Sequence, residues 1–299
     1  EPTAGRVQPM ALADPDAVLA ELDALVGLDA VKAAIRRIAD VHRLNARRAA
    51  SGEPVLPQPL DLVFAGEPGT GEDEVAAIVG RLYVALGLLP TGQVVEVSRA
   101  DLVGSAPEET LARVAAAVEA ARGGILFVDE AHLLVPMAPD DPAAAALPAI
   151  VAAMAAHPGA LAVILAGPTE PMRLLVEHHP ALRTAFDDLI EFPRYTPDEL
   201  VRIFEAEAAG LRIEVTPEVR VAVAGHLAAV HEGGLFRSAR YVPGLVEEMY
   251  ARMASRVAAD GADDDAHRSF AVVDVPEPAR ASLGDTGIRV GFSGDLDES

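Results

Sequence analysis

Apolar and polar positions divide the chain into two regimes. Between residues 61 and 192, short apolar runs alternate with helix-length segments; before and after, helical spacing prevails. Asp14 or Asp16 can cap a first helix through Leu19, Leu22 and Leu25, with Gly27 as its stop. Val31, Ile35, Ile38 and Val41 predict a second helix from Asp29 to Ala50, with Gly52 after its end. Strands are predicted at Asp61–Ala65, Val94–Val97, Gly124–Val128, Leu161–Ala166 and Leu189–Phe192. Helices are predicted at Val75–Leu86, Thr110–Arg122 and Pro142–Ala156, with shorter pieces at Pro171–Glu177 and Pro180–Phe186. Apolar strands separated by helices predict an α/β fold, a parallel sheet covered on both faces.

After Pro193 the alternation stops. Asp198–Ala209, Pro217–Val230 and Tyr241–Ala259 predict a small C-terminal helical domain. The expected organisation is a linker at 1–13, a large α/β domain at 14–193, a helical domain at 194–259 and an acidic tail at 260–299. The tail's composition is that of a disordered segment. Its two β-like runs, Phe270–Val275 and Gly287–Phe292, are candidates for a hairpin or for docking elsewhere.

Composition narrows the functional classes. The net charge of −22 disfavours nucleic acid and anionic membranes as partners. The absence of cysteine excludes disulfides, thiolate metal sites and cysteine nucleophiles. No apolar run reaches the length of a membrane span. Glu1–Gly5 has neither a charged n-region nor an apolar h-region, so no signal peptide is expected there and a cytoplasmic location is.

Two motifs carry the candidate chemistry. Gly66-Glu67-Pro68-Gly69-Thr70-Gly71-Glu72-Asp73 follows an apolar strand and opens a helix. That is the setting of a phosphate-binding loop, G-x-x-x-x-G-K-[ST]. The glycines are in place, but Glu72 stands where the pattern has Lys and Asp73 where it has Ser or Thr. Lys32 is the chain's only lysine. The second motif, Gly123-Gly124-Ile125-Leu126-Phe127-Val128-Asp129-Glu130, is an apolar strand ending in Asp-Glu, the Walker B pattern. The eight histidines show no ligand spacing and are expected at solvated positions.

Together with Leu25-Val26-Gly27-Leu28-Asp29-Ala30-Val31-Lys32, Val97 to Gly104, Leu161 to Gly167 and Ser238 to Val242, these motifs resemble AAA+ ATPases. The resemblance covers about Asp16 to Ala259. It is to the group that includes CbbX-type Rubisco activases, SpoVK sporulation proteins and the C-terminal domain of EccA. It implies a five-stranded parallel sheet and a ring, commonly of six. It also implies ATP and Mg²⁺ as ligands and a protein partner.

By this resemblance Gly66, Pro68, Gly69, Thr70, Gly71, Glu72 and Asp73 form the phosphate loop, Asp129 holds Mg²⁺ and Glu130 activates water. Arg183 acts on a neighbour's phosphate, Arg240 is the sensor-2 arginine, and Thr169 is the nearest hydroxyl to the sensor-1 position. Other positions depart from the family. Ala106 replaces the pore aromatic, Ala185 replaces a second arginine, and Pro243, expected to break or kink a helix interior, replaces a third. The expected function is a structural or regulatory module with impaired ATP binding and hydrolysis, in a ring or tandem with active AAA+ domains. Alternatives are an atypical active ATPase remodelling a protein partner, a carboxylate cluster (Glu72, Asp73, Asp129, Glu130) binding a divalent cation without nucleotide, and a scaffold docking through its acidic tail.

Overall fold

The structure is a computed structural model that describes residues 14–56, 58–186, 189–232, 241–260 and 267–277. Two helices lead into the sheet. Helix α1 (Pro15–Ala24) begins where the Asp14 carboxylate accepts the Asp16 N–H at 3.0 Å. Helix α2 (Asp29–Ala50) buries Val31, Ile35 and Ile38 at the spacing read from the sequence. The strands are β1 (Leu62–Gly66), β2 (Val94–Val97), β3 (Ile125–Val128), β4 (Ala162–Gly167) and β5 (Leu189–Phe192). They pair in parallel in the order β2-β3-β4-β1-β5. Helices α3 (Glu72–Ala85), α4 (Arg99–Leu102), α5 (Pro107–Ala121), α6 (Ala146–Ala156), α7 (Thr169–His178) and α8 (Pro180–Ala185) make the connections.

The three central strands are buried along their whole length, whereas β2 and β5 are partly open. This is why the central runs are continuously apolar. Alternate residues serve opposite faces. Leu62, Phe64, Ile125, Phe127 and Ile164 face α1–α3. Val63, Ala65, Leu126, Val128, Val163 and Leu165 face α4–α8. Just before β1, the Asp61 carboxylate accepts the Val163 N–H at 2.7 Å. Burial pushes this acid up to about 6, against the lowering effect of that bond.

Helix α9 (Pro197–Gly210) opens the C-terminal helical region with α10 (Pro217–Glu232) and α11 (Tyr241–Asp260). Its start is a reciprocal cap: Thr196 Oγ1 accepts the Glu199 N–H, and Glu199 Oε2 accepts the Thr196 N–H at 2.7 Å. Pro243, expected to break its helix, does not: it is the third residue of α11 as described, and the helix runs on to Asp260.

Residues 267–277 form a strap docked on this region. Phe270 is fully buried and its ring lies 5.9 Å from that of Phe204. Asp274, with 1% of its side chain exposed, meets Arg256 at 2.9 Å. The β-like reading of Phe270–Val275 is corrected. One parallel bridge joins Glu214 to Ser269, and Val272–Asp274 is a 3-10 turn closed by the Asp274 carboxylate on the Ala271 N–H. The Gly287–Phe292 run lies outside the described residues. Pro142–Ala156 also divides, into a 3-10 turn, Pro142–Ala145, and α6.

Two histidines contradict the expectation of solvation. His42 is buried edge-on to Tyr83. His226 is buried, with Nδ1 2.8 Å from the Pro276 carbonyl and Nε2 2.6 Å from the Tyr241 hydroxyl. The packing of three elements places it, and no local pattern signals that.

Candidate functional site

The site forms at the carboxyl ends of the parallel strands, where an open α/β sheet leaves a crevice for ligands. β1 ends at Gly66, and the chain turns through Pro68, Gly69, Thr70 and Gly71 into α3. Gly69 and Gly71 hold φ of 82° and 94°, a left-handed backbone that glycine adopts without steric cost. Gly66 is a close approach: a Cβ there would lie 2.6 Å from Phe192 Cβ and 2.7 Å from Thr70 Oγ1. Thr70 is buried, and its hydroxyl donates to the Glu67 carbonyl at 3.0 Å. The Tyr195 hydroxyl donates to the Thr70 carbonyl at 3.2 Å. Burial first, then the charges of Glu74, Glu199 and Asp73, push that phenol up to about 12, so it stays a donor.

Glu72, Asp73 and Glu74 are the first three residues of α3. Glu72 is only 8% exposed, whereas Asp73 and Glu74 reach the surface. A cavity of about 640 Å³ adjoins the loop. Its apolar wall includes Leu25, Val26, Ile203 and Pro243; its carboxylates are Glu21, Asp73, Glu74 and Glu207. Burial, then the neighbouring Asp73 and Glu207, holds the Glu74 acid above its ordinary range, with Arg81 opposing.

Asp129 and Glu130 follow β3, two strands from β1 across β4, so roughly 10 Å separates their strand ends. Asp129 Oδ1 accepts the Glu130 N–H at 2.9 Å, and Glu130 has a left-handed φ of 48°. Beside them, His132 Nδ1 is buried without a hydrogen-bond partner. Burial lowers this imidazole; Glu130 and Asp129 act in the opposite direction. Gly167 makes room for it, since a Cβ there would lie 3.0 Å from Nδ1. Among the described residues no group of three or more His, Asp or Glu is arranged to hold a metal ion. The reading of Glu72, Asp73, Asp129 and Glu130 as a cation cage therefore has no geometric support.

Arg183 lies in the last turn of α8, exposed and without an ion pair among the described residues. Thr169 opens α7 behind the loop. Arg240 lies outside the described residues. Ala106 caps α5 at a corner tied down by its own helix. Gly104 N–H donates to Thr110 Oγ1 at 3.1 Å, and Ser105 donates through both N–H and hydroxyl to Glu109 Oε2 at 2.7 Å. Sequence reasoning missed Tyr195, His132 and Glu207, none of which belongs to a spaced motif.

Residues 62–194 match the family described as "ATPase family associated with various cellular activities (AAA)", and residues 196–284 match its AAA lid domain. The chain is 33% identical over 236 residues to "Protein CfxQ homolog" of Trieres chinensis, covering 78% of this chain and 80% of that protein. The chain belongs to the AAA family. It is also 30% identical over 240 residues to "Stage V sporulation protein K" of Bacillus subtilis, covering 79% of this chain and 74% of the relative. It is 38% identical over 185 residues to "ESX-3 secretion system protein EccA3" of Mycolicibacterium smegmatis, covering 62% of this chain but only 30% of that longer protein. The fold matches the crystal structure of the FIGL-1 AAA domain in complex with ADP, with a TM-score of 0.56 at 18% identity, covering 89% of this chain and 90% of that one. The five-stranded parallel sheet and C-terminal helical region are thus those of an AAA protein. No helix among the described residues is long and apolar enough to cross a membrane.

Proposed function

We propose that this chain is an AAA module with impaired ATP binding and hydrolysis, serving as a structural or regulatory member of a ring or tandem with active AAA domains. The buried carboxylate of Glu72 carries the reading. The cavity and the glycine backbone suit a nucleotide in size and shape; the charge at the loop does not. Helix N-termini favour anions, and here the first turn of α3 supplies its own in Glu72, Asp73 and Glu74. Two unit charges about 4 Å apart interact by about 4 kcal/mol at an effective dielectric near 20. Exchanging a lysine's attraction for a glutamate's repulsion therefore costs several kcal/mol of phosphate affinity. The same carboxylates stabilise α3 through its dipole, so helix stability and anion binding pull in opposite directions at this turn.

Large and helical domains divided near residue 193, with a cytoplasmic location, complete the reading. Where an active partner supplies nucleotide, Arg183 is the residue this chain offers to it. Equilibrium titration with a fluorescent ATP analogue and Mg²⁺ tests the proposal: weak or absent binding is expected, and micromolar affinity with turnover sinks it. A second reading, an active ATPase that remodels a protein partner, draws on Asp129 and Glu130 at the end of β3. It requires that Glu130→Gln abolish phosphate release.

A further inference from the structure

The end of the strap is connected to the cavity wall through a buried histidine. The Pro276 carbonyl, 2.8 Å from His226 Nδ1, can only accept, so in the neutral ring Nδ1 carries the proton. Nε2 is then the acceptor, and the Tyr241 hydroxyl donates to it at 2.6 Å. The two rings also stack, with centroids 5.8 Å apart and planes at 19°. One carbonyl of the strap therefore fixes the tautomer of His226, and the tautomer fixes the direction of the tyrosine's hydrogen bond. Tyr241 opens α11, and Pro243, two residues on, lines the cavity of about 640 Å³ beside the glycine loop.

The strap reaches the other helix of that wall as well. Phe270 packs on the buried Phe204 of α9, and Ile203, Ala206, Glu207 and Gly210 of the same helix line the cavity. Just past α9, Glu214 donates its N–H to the Arg268 carbonyl at 2.8 Å and accepts the Phe270 N–H at 3.2 Å. Arg256 of α11 holds Asp274 at 2.9 Å and the Ser269 carbonyl at 3.3 Å. The strap thus ties α9, α10 and α11 to one another. Its grip rests on few points: between Phe270 and Asp274, Val272 and Val273 are 51% and 70% exposed. A segment held in this way opens at lower cost than the domain beneath it.

We infer that the strap is a releasable latch on the cavity. Docked, it holds α9 and the start of α11 at the spacing seen in the structure; lifted, it lets that wall move. The coupling is reciprocal: a ligand that fits the cavity of the latched form tightens the strap, and loss of the strap weakens that ligand by the same factor. It operates within a single chain and does not depend on whether the ligand is a nucleotide.

Ala24 on α1 and Gly210 at the end of α9 both line the cavity. The chain has no cysteine, and a Cβ at Gly210 meets nothing within 4 Å. Ala24→Cys with Gly210→Cys therefore accepts a pair of spin labels whose separation reports the width of the cavity. One narrow distance distribution is expected with the strap intact. Phe270→Ala, which frees the strap, is expected to broaden the distribution and move it to longer distances. Leu147→Ala, in the core on the opposite face of the sheet, lowers stability to a similar degree and is expected to leave the distribution as it was. No change in Phe270→Ala, or equal broadening in both variants, overturns the inference.

Tyr241→Phe gives a milder test, because it keeps the ring stack and the other anchors of the strap and removes one hydroxyl. Amide exchange is expected to quicken roughly tenfold both at Leu245 and Val246 of α11 and at Asp274 and Val275 of the strap. Faster exchange at only one of the two places, or at neither, means that the strap and the wall are not linked through His226 and overturns the latch.

Discussion

The Tyr195 hydroxyl donates to the Thr70 carbonyl at 3.2 Å, tying the segment after the edge strand β5 to the glycine loop. It also sits against Gly71, where a Cβ would approach the oxygen to 3.2 Å. The phenol acts as a brace for the turn that opens α3. Tyr195→Phe removes this bond and leaves a buried carbonyl with one partner fewer. A loss of about 1 kcal/mol is expected in urea unfolding, with faster amide exchange around Gly69–Gly71. Unchanged exchange there would show that the loop holds its shape without the brace.

Restoring the loop's charge pattern is the direct challenge to the proposed function. Glu72→Lys with Asp73→Thr recreates G-x-x-x-x-G-K-T on a backbone that already has the left-handed glycines. Affinity for an ATP analogue is expected to rise by roughly 100-fold or more, given the size of the charge reversal. If the double variant folds and binds no better, the charge at position 72 is not what limits the site.

Asp61 predicts a pH dependence of stability. Its folded acid lies at about 6, against an ordinary value of 3.8. The folded state thus binds more protons between those values, so this group's contribution falls as pH rises through that window and stays low above it. Asp61→Asn keeps an oxygen for the Val163 N–H and removes the buried charge. The variant is expected to be more stable at pH 7.5 by roughly 1–3 kcal/mol, with the difference gone near pH 4. A difference of equal size at both pH values would refute the electrostatic origin.

The Asp274–Arg256 pair predicts how firmly the strap is held. Asp274→Ala leaves Arg256 facing a buried gap, and loss of about 3–5 kcal/mol is typical when one partner of such a pair is removed. Phe270→Ala is expected to cost a similar amount through its cavity against Phe204. Both are read by chemical denaturation. A chain cut after Asp260 is expected to behave like the sum of the two, and wild-type stability of that fragment would mean the strap is only laid on the surface.

What was legible in the sequence was whatever a single stretch encodes. The phosphate-loop glycines, the Asp-Glu strand end and the alternation of strands and helices each occupy a few consecutive residues, and each lies in the structure where its pattern places it. Pairings distant in sequence were not legible. Tyr195 meets Thr70 across 125 positions, and His226 meets Pro276 across 50. The strap was legible only in part, its docking being one of two alternatives, for a related reason. Its acidic composition resembles disorder, yet one buried phenylalanine and one buried ion pair hold it. The role of Arg240, which lies outside the described residues, rests on resemblance alone.

The corner at Gly104–Ala106 has a mechanical consequence. Arg113 donates to the carbonyls of Ala100 and Val103 at 3.1 Å each and to Glu109 at 2.7 Å, while Glu109 takes both donors of Ser105. The Ser105 N–H, first among its contacts, keeps the Glu109 acid down to about 2, so the latch does not release at neutral pH. A loop that hauls on a polypeptide has to swing through each stroke, and this one would break its latch to do so. Under the proposed reading, the corner would serve as a strut rather than a lever: in an assembly of moving subunits, it would carry load without performing a stroke of its own.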